Sequence, residues 1–375
     1  MSDLNLLYTD VEDDLRSSVR DLLAARSEAS TVVGVYDGDR SVVDPLWRAL
    51  AGDLGLAGLL VPEERGGAGA SAREAAVVLE ELGRAAAPVP FLTSSVVATT
   101  VLLAAGPGGP ADELLAGLAA GERTAALVLP LSVGPGDEVP GLTVDGDGRI
   151  SGSARSVAGA LEADVLLVPV TSGGGTAVHA VPAADARIEP VVSLDMTRQL
   201  ADVTLDGISG QELLGADAGG EAIRGGLDMG AALLASEQLG VAQWCLTTTI
   251  AYLKDRRQFG RVVGGYQAIK HRLADLYAAV ESAAAAARYA AATAAEGDPD
   301  SAVATAVAQS FCSDVAVKAA EEAVQLHGGI GMTWEHPAHL YLKRAKADQI
   351  AFGTPGAHRA RLADMVDLPA PAPVG

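Results

Sequence analysis

The stretch Tyr252–Asp275, YLKDRRQFGRVVGGYQAIKHRLAD, decides how the chain is interpreted. It contains six Lys or Arg and two Asp or Glu, a local charge of +4, whereas the whole chain has 27 basic and 48 acidic residues. Because a bound phosphate favours fixed cations and N–H donors, this basic segment indicates an anion site. Apolar spacing and glycines predict a helix, a turn around Phe259-Gly260 and a second helix. Arginine, phenylalanine and glutamine beside such a turn suit a nucleotide pyrophosphate and its adenine.

Composition limits the class of protein. The 375 residues are enough for two or three domains, and 49% hydrophobic residues with only 4% aromatics favour a helix-rich, soluble enzyme. No apolar run approaches the roughly 20 residues that span a bilayer, and the acidic N-terminus is unlike a signal or transit peptide. A pI near 4.6 argues against nucleic acid or an anionic membrane as a partner. Cys245 and Cys312 lie in apolar helical segments, which predicts buried thiols in a reduced, cytoplasmic protein.

Hydrophobic periodicity changes twice along the chain. The N-terminal part has helical spacing, with a helix start at Ser71. The middle part has short Val-, Leu- and Ile-rich runs broken by Gly, Pro and Asp about every ten residues, which is typical of an antiparallel barrel or sandwich. The last part returns to helical spacing, which predicts long helices at roughly 221–256, 266–296 and 300–327. The sequence thus predicts an α+β fold: an N-terminal helical domain, a middle antiparallel β-barrel or sandwich domain and a C-terminal four-helix bundle. The predicted segments are 1–121, 122–219 and 220–367, followed by a disordered tail, 368–375.

Other motifs carry little chemistry. The glycine clusters at Gly66 and Gly173 lack the strand, loop and helix context of a dinucleotide site. The six histidines are scattered, and we expect no metal site. The segment Gln325–His336, QLHGGIGMTWEH, predicts a helix that ends at His327 before two glycines. Those glycines allow a backbone or ligand to approach closely, or they are a plain C-cap.

Four motifs together resemble one known family. They are GLLVPEERGG at Gly58–Gly67, EELGRAAAPVPF at Glu80–Phe91, DRRQFGR with Gln267, and QLHGGIGMTWEHPAHLYLKRAK at Gln325–Lys346. In this order and in an α–β–α context they resemble the acyl-CoA dehydrogenase family over nearly the whole chain. The likeness is greatest to an actinobacterial-style branch, some members of which act on steroid side chains.

The resemblance implies a cofactor and its contacts. FAD would lie between the β domain and the C-terminal bundle, with its ADP half held by a neighbouring subunit. The resemblance assigns Arg256 and Gln258 to the phosphates, Phe259 to the adenine, Gln267 to the adenosine end, Gln325 and Gly329 to the same channel, and Thr354 to the vicinity of the cofactor. It further implies an acyl thioester of CoA or a carrier protein as substrate. The expected partners are copies of the chain in a dimer or homotetramer, or a paired homologous subunit, and an electron-accepting flavoprotein.

The chain departs from the family where the base is expected. The usual base is a Glu directly before Gly-Thr, but the matching run is QIAFGT, with Phe352 in that position. The alternative position on the first long bundle helix aligns with Gly230. Positions that usually face the flavin align with Val128, Leu129, Ser156 and Ala158. Candidates for a relocated base are Glu237 and Asp228, although a structural role is favoured for Glu237 and more strongly for Asp228.

Three functions remain open from the sequence. The chain is an acyl-CoA dehydrogenase that desaturates an acyl thioester between Cα and Cβ with an atypical or relocated base. Alternatively, it is the non-catalytic subunit of a hetero-oligomer whose partner supplies the base. A third alternative is an oxygen-using flavoprotein on the same fold.

Overall fold

The computed structural model of the protein describes residues 4–369. Its helices are α1 Asp10–Arg26, α2 Ala29–Val33, α3 Val43–Arg48, α4 Ala72–Arg84, α5 Thr99–Leu103, α6 Pro110–Ala119, α7 Gly219–Asp255, α8 Gln267–Glu296, α9 Ser301–His327, α10 Ala338–Asp348 and α11 Pro355–Met365. Its strands are β1 Ala125–Leu127, β2 Leu142–Val144, β3 Arg149–Ala158, β4 Val165–Ser172, β5 Gly175–Pro182, β6 Arg187–Val191, β7 Leu200–Ser209, β8 Gln211–Leu214, β9 Arg257–Gln258 and β10 Arg261–Val262. The α+β class is therefore confirmed.

Local sequence explains how the N-terminal helices begin. Thr9 and Ser71 form capping boxes at the starts of α1 and α4, and each reciprocal partner is a glutamate three residues later. The predicted helix start at Ser71 is thus confirmed. Two π-helical stretches, Ala49–Asp53 and Phe91–Ala98, interrupt regular helix in this part of the chain. The second of them faces α7 and contributes Val97 to the candidate site.

The middle of the chain forms one eight-stranded sheet with the path β6-β7-β3-β2-β4-β5-β8, and β1 pairs with β4 beside it. The sheet is mixed rather than purely antiparallel, because β1 and β2 both run parallel to β4. Among the described residues the pairing forms an open path that does not close into a ring. Ile150, Ala154 and Val157 of β3 are buried in the core of the sheet, and their uneven spacing accompanies two register shifts in the pairing of β3 with β7.

The C-terminal part contains three long helices, α7, α8 and α9, which pack on one another, with the shorter α10 and α11 against α9. Small residues on their facing sides, such as Ala283, Ala287 and Ala316, allow close approach of the helices. Cys245 and Cys312 are both buried and free in this core, as predicted. Part of the predicted disordered tail, 370–375, lies outside the described residues. No helix within residues 4–369 is long and apolar enough to cross a membrane.

Candidate functional site

The basic segment folds into a hairpin between α7 and α8. Strands β9 and β10 pair antiparallel, with Gln258 opposite Arg261. Phe259 and Gly260 form the two-residue turn, and both have positive φ, 50° and 75°. Two positive φ values are the requirement of the type I′ turn that suits two-residue hairpins. The sequence predicts the turn. It does not predict the pairing of β9 with β10, because strands of two residues are too short to show a periodicity.

The hairpin presents its side chains outward. Phe259 is 92% exposed at the tip, and Arg256 and Gln258 are exposed beside it. The side chains of Arg256 and Gln258 have no ion pair or hydrogen-bond partner among residues 4–369, and Gln267 contacts only His271, at 3.1 Å between Nε2 atoms. A solvent-exposed aromatic beside unpaired polar groups is suited to contact with another molecule. These four predicted cofactor residues therefore share one outward-facing surface.

The end of α9 lies next to the start of this hairpin. His327, in the last turn of α9, stacks on Tyr252, in the last turn of α7, with ring centroids 4.6 Å apart. Gln325 and Gly329 are exposed on either side of His327. The structure thus brings six of the seven predicted cofactor residues to one end of the long helices.

Thr354, the seventh, lies elsewhere. It is the N-cap of α11, where its Oγ1 accepts from the Ala357 N–H at 3.3 Å. It follows Phe352, which packs against Gly230 on α7. Gly230 and Arg256 are 26 residues apart on this continuous helix, or about 39 Å at 1.5 Å per residue. That separation exceeds the length of a dinucleotide, so one cofactor cannot contact both Arg256 and Thr354 of the same chain.

The two positions at which the resemblance places a base, Phe352 and Gly230, lie against each other. A Cβ at Gly230 would stand 2.9 Å from Cζ of Phe352 and 2.8 Å from Cγ2 of Val97. Such distances are shorter than van der Waals contact, so the phenyl ring occupies the space of any side chain at 230. One bulky apolar residue therefore fills both positions.

Backbone hydrogen bonds hold Phe352 in place. Its N–H donates to the Leu131 carbonyl at 2.8 Å, and its carbonyl accepts from Nε2 of His358 at 2.9 Å. Phe352 has φ 53°, which is uncommon for a residue with a Cβ and is stabilised here by these two bonds. Burial lowers the pKa of His358, so the ring is neutral near pH 7 with its proton on Nε2. Sequence reasoning missed His358, for which no motif gave a signal.

A small apolar cavity adjoins the ring. Its lining includes Leu129 and Ala158, two positions predicted to face the flavin, together with Phe352. The other lining residues are Thr93, Val97, Leu127, Pro130, Leu131 and Leu227. Among the residues that the structure describes, no carboxylate lines this cavity. Of the four positions that align with flavin-facing ones, Leu129 and Ala158 line this cavity. Val128 is buried in the sheet core, and the Ser156 N–H donates to Asp202 at 2.9 Å.

The structure does not support either relocated base. Glu237 is 2% exposed, and its carboxylate is bonded by Arg198 and Arg344. Burial alone would raise its pKa, but the two arginines hold the pKa of Glu237 below its usual range. Asp228 pairs with Arg361 at 2.8 Å. Both carboxylates are therefore structural partners, and neither lines the Phe352 cavity.

Comparison with known proteins identifies the family. The acyl-CoA dehydrogenase N-terminal domain matches residues 9–122, and the acyl-CoA dehydrogenase C-terminal domain matches residues 217–366. The chain belongs to the acyl-CoA dehydrogenase family. Acyl-CoA dehydrogenase IpdE2 of Mycobacterium tuberculosis is 38% identical over 88% of this chain and 89% of its own length. IpdE2 of Mycolicibacterium smegmatis is 36% identical over 93% and 96%.

Solved acyl-CoA dehydrogenase structures share the whole fold. A steroid acyl-CoA dehydrogenase variant described as Tcur3481–Tcur3483 is 30% identical, with a TM-score of 0.82, over 96% of this chain and 98% of that one. The ChsE4–ChsE5 complex of Mycobacterium tuberculosis is 26% identical, with a TM-score of 0.84, over 98% and 100%. Membership of this family confirms two predictions from the sequence, namely that the protein is an oxidoreductase and that its cofactor is FAD.

The residues of this acyl-CoA dehydrogenase family member fit FAD unevenly. The hairpin offers Arg256, Gln258 and Gln267 with unpaired or exposed polar groups, which suit a nucleotide diphosphate. Around Phe352 the lining is apolar, and the Phe352 amide is already bonded to Leu131. The hairpin side chains therefore suit the nucleotide end of FAD, whereas the mostly apolar lining around Phe352 offers a flavin ring few hydrogen-bond partners.

Proposed function

We propose that the chain is one subunit of a FAD-dependent acyl-CoA dehydrogenase that oxidises the Cα–Cβ bond of an acyl thioester. A second, homologous chain supplies the base, and this chain contributes the nucleotide end of the FAD site. The observation that carries the proposal is the contact between Phe352 and Gly230, because neither base position holds a carboxylate and the phenyl ring leaves no room for a side chain at 230. This favours the second function predicted from the sequence over the first.

Chemistry explains why a second chain is needed. The α-proton of a thioester is weakly acidic, so its removal needs a positioned carboxylate. Within residues 4–369 the cavity at Phe352 has no carboxylate, and Glu237 is bonded by two guanidiniums. FAD supplies the hydride acceptor in this family. The separation of about 39 Å along α7 supports the proposal that Arg256 serves a flavin whose ring lies in another chain.

The relatives support this assembly and suggest a substrate class. Two similar structures are described as pairs of chains, Tcur3481–Tcur3483 and ChsE4–ChsE5, and the first is described as a steroid enzyme. We therefore infer a bulky acyl group, carried on CoA or a carrier protein. The assembly is a hetero-oligomer built through the hairpin and the C-terminal helices. The two buried free cysteines suit a reducing, cytoplasmic location.

Purification of the chain alone and together with a co-encoded homologue that retains the Glu tests the proposal. Flavin content is measured after gel filtration, and flavin bleaching is followed during anaerobic mixing with butyryl-, octanoyl- and steroid-type acyl-CoA. We expect bleaching only in the pair. Fast bleaching by the chain alone would contradict the assignment of the base to a partner.

A matched pair of arginine variants tests the nucleotide contact. Arg256→Ala in the assembled pair should weaken FAD binding by about 2–3 kcal/mol, because a phosphate loses a charged hydrogen-bond donor. Arg187→Ala is the control, since Arg187 is also exposed but lies on β6, with its partner Glu189 on the same strand. An unchanged ratio of FAD to protein in Arg256→Ala would exclude this contact.

A further inference from the structure

Five charged side chains are buried together where the loop before β7 meets the C-terminal helices. They are Asp195 and Arg198 from the loop, Glu237 from α7, and Arg344 and Asp348 from α10. Each side chain is 9% exposed or less. We call these five residues the buried charge cluster. It contains three carboxylates and two guanidiniums, so with every group ionised it would hold one uncompensated negative charge.

The hydrogen bonds show which carboxylate is left over. Arg344 bonds Asp195 at 2.7 Å and also Glu237, and Arg198 bonds Glu237 at 2.6 Å. Asp348 receives one bond, from Arg198 to Oδ1 at 3.0 Å. Its Oδ2 is buried with no partner among the described residues. Asp195 and Glu237 are therefore neutralised, whereas Asp348 is only partly compensated.

Two glutamine oxygens on the helices that pack against α10 are buried without a donor among the described residues. Gln238 Nε2 donates to Ser313 and to the Asp348 carbonyl, at 3.0 and 3.2 Å, and Gln309 Nε2 donates to the Ala351 carbonyl at 3.1 Å. Within residues 4–369 the Oε1 atoms of both glutamines are buried without a donor. A buried acceptor without a donor is unfavourable, and so is an uncompensated buried charge. One additional proton on the buried charge cluster would remove the excess charge.

We propose that Asp348 is a protonated carboxylic acid in the folded protein at neutral pH, and that this proton is released when the buried charge cluster is exposed by unfolding. The groups that face it are Glu237 from α7, Asp195 and Arg198 from the loop and Arg344 from its own helix, while α9 presents the neutral Gln309 and Ser313. Burial, reinforced by Glu237, raises the pKa of Asp348 to about 8 in spite of the two arginines. This acid lies outside the nucleotide hairpin and the Phe352 cavity, so the proposal is independent of the proposed function.

The sign of the pH effect follows from the two states. The pKa of an aspartate in the unfolded chain is about 3.9, whereas the pKa of Asp348 in the folded protein is about 8. The folded state therefore holds the proton more tightly, and this contribution to the stability of the fold is fully present below pH 4 and is lost as the pH rises to about 8. Over that window the wild type should lose stability relative to Asp348→Asn by about tenfold in the unfolding equilibrium constant per pH unit. Above the pKa of the folded state the difference should become constant.

The direct experiment counts protons. The purified full-length chain is unfolded with urea in weakly buffered solution at pH 6.5 and fixed protein concentration, and released protons are titrated. We expect one more proton from the wild type than from Asp348→Asn. Asp314→Asn is the control, because Asp314 pairs with Arg359 on the surface and should match the wild type. Equal release from the wild type and Asp348→Asn would mean an ionised Asp348, for example one hydrated by a buried water, and would overturn the proposal.

A second variant keeps the test decisive if Asp348→Asn does not fold. Glu237→Gln leaves two carboxylates facing two guanidiniums, so Asp348 should ionise and the additional proton should disappear. Persistence of that proton in folded Glu237→Gln would contradict the charge count on which the proposal rests.

Discussion

Gly230 lies in a long helix at a point where no side chain fits. Its backbone faces the Phe352 ring and Val97, whose positions are fixed by their own packing and, for Phe352, by two backbone hydrogen bonds. An alanine elsewhere in a helix is more stable than glycine by roughly 0.5–1 kcal/mol. At this position we expect the steric cost to exceed that gain, because a new Cβ would force buried side chains to shift, and such shifts destabilise a core by more than the difference in helix propensity.

We therefore predict that Gly230→Ala destabilises the protein by about 1–3 kcal/mol. Gly225→Ala is the matched control, since a Cβ there meets nothing within 4 Å on the same helix, and it should be neutral or stabilising. Urea unfolding measures both. A stable Gly230→Ala would show that the Phe352 ring moves easily and that this base position is accessible.

Restoring the family's carboxylate at Phe352 should not restore a site. We predict that Phe352→Glu destabilises the protein by roughly 3 kcal/mol or more, because it removes a buried ring and leaves a polar group in an apolar lining. The chain alone should still not bleach flavin with a thioester. Phe352→Leu, which keeps an apolar side chain, should cost less. If the isolated Phe352→Glu chain folded and its flavin were bleached by a thioester, the interpretation that this chain lacks a complete active site would be contradicted.

The hairpin formed by β9 and β10 is an element whose tip is built for contact with another molecule. A phenylalanine at φ 50° and 92% exposure brings no stability to the isolated chain. Asn-Gly is the preferred sequence for a type I′ turn. An asparagine at position 259 would therefore remove the aromatic ring without disturbing the turn.

We predict that Phe259→Asn preserves or slightly raises the stability of the isolated chain and weakens subunit association by at least 1 kcal/mol, as expected for an aromatic contact at an interface. Sedimentation velocity of the assembled protein measures association, and urea unfolding measures stability. Tyr277→Asn is a control for loss of another exposed aromatic on α8. Equal association of Phe259→Asn and wild type would exclude the tip from the interface.

Elements with strong periodicity could be predicted from the sequence, and elements set by pairing could not. The predicted helices 221–256, 266–296 and 300–327 agree closely with α7, α8 and α9. The strand β8, Gln211–Leu214, was missed because it has four residues and follows β7 after a single glycine. The parallel pairing of β1 and β2 with β4 depends on chain crossovers, which local residue patterns do not encode.

At the scale of the whole molecule, the same limit applies to the buried charge cluster. Asp195 and Arg344 are 149 residues apart in sequence, so no spacing predicted that they would meet. For this reason the sequence leaves Glu237 as a candidate base, and only the structure shows that Arg198 and Arg344 bind its carboxylate. The position of Phe352, by contrast, was predicted from its neighbours in QIAFGT, and the structure adds the reason that the position is closed.

The cluster joins the β sheet to the helical core through Arg344, which bonds Asp195, Thr197 and Glu237 and the carbonyl of Ala87. We predict that Arg344→Met destabilises the protein by about 3–5 kcal/mol, because it leaves buried carboxylates without their partner. Arg187→Met is the control, since the Arg187–Glu189 pair is exposed and such pairs contribute about 0–1 kcal/mol. Urea unfolding followed by tryptophan fluorescence measures both variants. If Arg344→Met unfolded at the same urea concentration as Arg187→Met, the cluster would contribute nothing to holding the sheet on the helices.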